Sequence, residues 1–91
     1  MDRIGAYAEL AADLERYRRL PHEELARRVG GPPATRSIET QDGPLTIEVR
    51  FGWVGAEWGA VRVTATANGP SWWRLDRLEE AITVNSLPRN Q

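Results

Sequence analysis

Apolar residues recur every three or four positions up to residue 29, and from residue 34 onward the period changes from helical to two. In "DRIGAYAELAADLERYRRL" the residues Ile4, Tyr7, Leu10, Ala11, Leu14 and Tyr17 form the apolar stripe of an amphipathic helix over about 2–19. Asp2 and Glu9 lie early and Arg16, Arg18 and Arg19 late, which suits the helix dipole. Gly5 weakens the first turns by about 1 kcal/mol relative to alanine. "LPHEELARRVGG" predicts a second, short helix over about 21–29. Pro21 fits its first position, Glu23 and Glu24 its first turn, and Arg27 and Arg28 its last, each four residues after a glutamate. Leu25 and Val29 form its apolar stripe. Gly30 or Gly31 supplies a left-handed cap, and Pro32-Pro33 prevents continuation.

The period-two region predicts strands over about 35–40, 45–53, 59–68, 72–76 and 82–85, with a tail over 86–91. Asp42-Gly43 marks the tip of the first hairpin. Leu45, Ile47, Val49, Phe51 and Trp53 alternate with Thr46, Glu48, Arg50 and Gly52; Val61, Val63, Ala65 and Ala67 alternate with Arg62, Thr64, Thr66 and Asn68. Such alternation belongs to an antiparallel sheet with one face on a core and one in water. A tight loop at Val54-Gly55-Ala56 would set Glu48 opposite Arg62, whereas a loop two residues longer would oppose Arg50 and Arg62, so the charges favour the tight loop. Residues 76–81 stay ambiguous, because Leu75, Leu78 and Ile82 also suit a helical turn. The fold expected is α+β: a single domain with two N-terminal helices packed on one face of a four- to five-stranded antiparallel meander.

Two adjacent tryptophans, Trp72 and Trp73, cannot share one face of a strand. Pairing Trp73 with Leu75 in the core leaves Trp72 beside Arg74 on the open face, provided the turn Asn68-Gly69-Pro70 has odd length. The open face then carries Glu48, Arg50, Arg62, Thr64, Thr66, Trp72 and Arg74, with Trp58 in the neighbouring loop. Tryptophan and arginine are the residues enriched at interface hot spots, although Trp72 and Trp58 equally suit plain packing.

Composition narrows the chemistry. The 91 residues carry a net charge of −1 and no cysteine, which excludes disulfides, thiolate metal sites and a cysteine nucleophile. All basic residues are arginine, a bias that suits either codon usage or planar bidentate contacts. No apolar run approaches the roughly 20 residues of a membrane-spanning helix, and the first residues lack a signal-peptide core, so a cytoplasmic protein away from the membrane is expected. His22 is the lone histidine, no serine lies in a G-x-S-x-G elbow, and Glu23-Glu24 and Glu79-Glu80 are adjacent rather than facing. No catalytic residues, metal ligands or cofactor are expected. Arg16, Arg18, Arg19, Arg27 and Arg28 would gather at the helix corner into a phosphate patch for nucleic acid, interrupted by Glu15, Glu23 and Glu24.

The corner Tyr17, Leu20, Pro21, Glu23, Glu24, Leu25, the strand Ile47-Glu48-Val49 and the late Trp73-Arg74 together resemble a small bacterial family of uncharacterised proteins with a Tyr-x-x-Leu-Pro-x-Glu-Glu-Leu helix corner and a β-meander. The resemblance covers most of residues 10–85, and it implies the fold and no activity. The doubled tryptophan departs from that pattern. The function expected is a non-enzymatic protein-binding module, in its most concrete form an immunity- or antitoxin-like inhibitor, contacting a protein partner or a second copy through Trp72, Arg74, Arg50, Arg62 and Trp58. The alternative is nucleic-acid binding by the arginine corner.

Overall fold

The computed structural model describes residues 3–40, 43–69 and 77–86. Two helices, α1 (Arg3–Arg18) and α2 (His22–Ala26), precede four strands: β1 (Ala34–Thr40), β2 (Gly43–Val54), β3 (Ala60–Asn68) and β4 (Arg77–Val84). The strands form one antiparallel sheet in the order β1-β2-β3-β4, so the chain is an α+β meander with its helices on one face.

The face of α1 that meets the sheet is Ala6, Leu10, Asp13, Leu14 and Tyr17. This corrects the expected stripe: Ile4 is 84% exposed and Tyr7 47%, and Ala11 faces solvent. Both sets have helical spacing, so periodicity alone does not choose between them. Two polar contacts to the sheet edges, described below, settle the rotation of the helix. Pro21 stands just before α2 rather than in its first turn, in extended backbone, and its carbonyl accepts from the amides of Glu24 and Leu25 at 3.0 and 3.2 Å. Leu25 and Ala26 enter the core, the chain winds on through single turns, and Gly30 takes the left-handed conformation at φ 85°.

The core is one layer between α1, α2 and the inward side chains Leu45, Ile47, Val49, Val61, Val63, Ala65, Ala67 and Leu78. Thr40 pairs with Gly43, which puts Gly43 in the strand rather than at the hairpin tip. The β2–β3 register differs from the charge-based expectation. Gly52 faces Arg62, Arg50 faces Thr64 and Glu48 faces Thr66, because the connection runs from Gly55 to Gly59. The correction is an even number of residues, so every side chain keeps its face. Glu48 finds its arginine along its own strand instead: Arg50 bonds both Glu48 carboxylate oxygens at 3.1 Å.

Residues 77–81 form no helical turn; they belong to the single strand β4, which begins with Arg77 opposite Asn68. Leu78 and Ile82 are four apart, a spacing common to both periods, and the polar Glu80 between them hides the strand alternation. Because Asn68 meets Arg77, a three-residue turn at 68–70 does not carry β3 to its partner. The strand expected at 72–76, and with it Trp72, Trp73 and Arg74, lies outside the described residues.

Candidate functional site

Each edge strand turns one charged residue toward the helices, and α1 meets both. On β1, Arg36 lies between Ala34 and Ile38 on the inward face. Its Nε donates to Asp13 Oδ2 at 3.1 Å and its Nη2 to Asp13 Oδ1 at 2.9 Å and Glu9 Oε1 at 3.0 Å. Arg16 adds a bond to Asp13 Oδ1 at 2.8 Å. Asp13 is only 2% exposed, a carboxylate inside an otherwise apolar face and satisfied by two guanidinium groups. The Asp13 hydrogen bond is the main cause that raises the Arg36 pKa above its ordinary value. A cavity of about 130 Å³ lies beside this clamp, between Tyr17, Thr35 and Val49. The charged groups on its wall, Asp13, Arg16 and Arg36, are bonded to one another. On β4, Glu80 accepts a hydrogen bond from the Tyr7 hydroxyl, and this bond, with the Glu80 charge and partial burial, raises the Tyr7 pKa.

The end of the β2–β3 hairpin is built differently. Ala56–Gly59 form a turn closed by the Gly59 amide on the Ala56 carbonyl at 2.9 Å. Trp58, its third residue, has φ 69° while Glu57 does not have positive φ, the signs of a type II turn, which normally puts glycine or asparagine at that position. Glycine stands one place later: a Cβ on Gly59 would come within 2.9 Å of the Ala56 oxygen. Trp58 is thus held in a conformation that costs a side-chain-bearing residue about 1–2 kcal/mol. It is 65% exposed, and its ring rests on Trp53 with centroids 5.3 Å apart and planes tilted by 53°. Val54, the last residue of β2, is also exposed, four residues before Trp58. His22, half-buried at the start of α2, donates from Nε2 to the Gly59 carbonyl at 2.6 Å and ties the loop to the helices. The lone histidine thus anchors the loop that presents Trp58.

On the open face, Arg50, Gly52, Arg62 and Thr64 line a shallow depression of about 240 Å³. Arg50 is committed to Glu48, whereas Arg62 has no acidic partner among the described residues. Of the expected partner surface, Arg50 and Arg62 share this face, Trp58 stands at the hairpin end, and Trp72 and Arg74 lie outside the described residues. Thr66, on the same face, is nearly covered at 4% exposure, so the face is open toward Gly52 and Arg62 rather than throughout.

Four of the five arginines of the helix corner are ion-paired: Arg16 bonds Asp13, Arg18 pairs with Glu15, Arg27 with Glu23 and Glu24, and Arg28 with Glu24, while exposed Arg19 has no acidic partner among the described residues. The Arg28 guanidinium also lies 5.8 and 5.7 Å from the ring centres of Tyr17 and Phe51, which meet edge to face. Sequence reasoning missed both edge clamps. The sequence singles out neither Asp13 nor Arg36, and only the odd polarity of an inward position hints at them.

The architecture is that of a four-stranded antiparallel meander backed by two helices, and among the described residues no helix is long and apolar enough to cross a membrane. No family model, curated protein or solved structure matches the chain.

Proposed function

We propose that this protein is a non-enzymatic protein-binding module whose anchor is Trp58. The observation that supports the reading is the strained, exposed conformation of that residue. A bulky side chain in left-handed backbone carries a cost, and such outliers gather at binding and catalytic sites. Here the strain holds an aromatic ring out from the hairpin end, on a platform made by Trp53 and braced by His22. A rigid tryptophan presented in this way is the residue type that dominates binding energy in protein interfaces. Within this class, an immunity- or antitoxin-like inhibitor is the most concrete form: a small domain that acts by occupying a partner. The ion pairing of the helix-corner arginines gives no comparable support to nucleic-acid binding.

The test is quantitative capture of proteins from extracts of the source cells by the tagged wild type and by Trp58→Ala. The expected result is a partner retained by the wild type and depleted about tenfold or more with Trp58→Ala, the size of a hot-spot loss. If every captured protein is indifferent to residue 58, the reading fails.

A further inference from the structure

Strand β2 outruns its neighbour. β1 begins at Ala34 opposite Val49, because Pro33 and Pro32 before it have no amide hydrogen to continue the ladder. Residues Arg50 to Val54 are therefore paired with β3 on one side, and no described strand pairs with them on the other. Beside this stretch lies the depression around Gly52. Gly52 has no positive φ, and a Cβ placed on it would meet nothing within 4 Å, so neither backbone nor crowding demands a glycine. Its effect is to leave the backbone bare between Arg50 and Arg62, directly across the ladder from Arg62. That arginine is exposed and has no acidic partner among the described residues.

We infer that the free side of β2 at Arg50–Val54 receives an extended acidic segment of a partner protein, one of whose carboxylates passes over Gly52 to Arg62. The inference rests on the protein-binding reading and names the chemistry of the partner. Strand addition supplies main-chain hydrogen bonds, and alternate side chains of the added strand supply specificity. A side chain beside Gly52 on the open face has no Cβ to cross before it reaches the guanidinium, whose planar fork matches a carboxylate. Thr64, on the same wall, offers a hydroxyl donor. Arg50, already neutralised by Glu48, keeps the site from being a general anion sink and leaves one cation to be satisfied.

The probe is a terminally blocked pentapeptide of alternating valine and glutamate, titrated into ¹⁵N-labelled full-length protein. A copy with lysine for glutamate and inorganic phosphate are the two comparisons. The expected result is a saturable shift of the Arg62 side-chain Nε–H together with the amides of Arg50–Val54, seen with the glutamate peptide alone. Arg62→Gln should weaken it about tenfold, the loss of one charge-assisted bond. Gly52→Val should abolish it while the melting temperature holds, since the added methyls fill the depression and a β-branched residue suits a strand. Three outcomes overturn the proposal: no saturable shift at Arg62, an equal response to phosphate, or undiminished binding by Gly52→Val. Failure here leaves the Trp58 reading standing if Trp58→Ala still depletes a captured partner; loss of that dependence removes the reading itself.

Discussion

Asp13 and Arg36 show what a single misplaced polarity does to a small core. Asp13 is sealed while the Arg36 side chain is 38% exposed, so the two halves of the pair are not equivalent. Removing Arg36 leaves the sealed carboxylate with Arg16 alone on Oδ1 and with Oδ2 unpaired, which costs about 2–3 kcal/mol, whereas Asp13→Ala leaves a cation that water can reach, at about 1–2 kcal/mol. Chemical denaturation of Arg36→Ala and Asp13→Ala should therefore rank them in that order. Asp13→Leu, which suits the apolar surroundings, should be close to wild type; equal losses for all three would contradict this account. Tyr7 offers a second check. Its phenol titrates above the ordinary 10.0 because Glu80 accepts its hydrogen bond and repels the phenolate. Stability from that contact is complete below pH 10 and is lost as pH rises through the raised pKa. An ultraviolet titration of Glu80→Gln should bring the Tyr7 transition back toward its ordinary value. At Trp58, relief of left-handed strain by glycine, about 1–2 kcal/mol, opposes loss of the aromatic contact, about 0.5–1.5 kcal/mol. Trp58→Gly should therefore melt within a few degrees of the wild type, while Trp58→Ala, which keeps the strain and loses the ring, should melt lower.

At the scale of elements, the two edge strands and α1 form one device. Inward charges on edge strands discourage pairing with further chains, and here they also orient the helix. Arg36 on β1 and Glu80 on β4 hold α1 from opposite sides, which is why Ala6 and Leu10 face the sheet and Ile4 does not. Most element positions were legible in the residues. β2 and β3 alternate without interruption, and α2 is bracketed by a proline and a left-handed glycine. What escaped was each place where a polar residue served an inward position: the stripe of α1 was rotated, and β4 was divided because Glu80 breaks its alternation. The hairpin register was misjudged for another reason. An exposed ion pair is worth at most about 1 kcal/mol and cannot override the geometry of a loop that must seat Trp58 on Trp53. The turn itself offers a test, because Gly59→Ala forces a Cβ against the Ala56 oxygen. It should cost about 1 kcal/mol or more in thermal unfolding, with glycine required there for space rather than for positive φ.

The whole molecule has a single layer of core, and protection should follow its depth. Leu45, Ile47 and Val49 of β2 and the inward residues of β3 are sealed, whereas β1 lies at the edge with most of its side chains in water. Amide exchange should be slowest at residues 45–49 and 61–67, approaching the global unfolding free energy, and fast in β1; uniform protection across the sheet would refute this picture. The candidate interaction surfaces lie off this core, on the hairpin end and the open face, so substitutions there can alter binding without unfolding the domain. The sequence by itself determined the α+β class, the place where the period changes and the faces of β2 and β3, because these follow from local periodicity and turn chemistry. The rotation of α1, the unity of β4, the hairpin register and the left-handed Trp58 were decided by tertiary structure. Each depends on contacts between residues far apart in the chain, Asp13 with Arg36, Tyr7 with Glu80, His22 with Gly59, and no local pattern encodes which distant partner will satisfy a polar group.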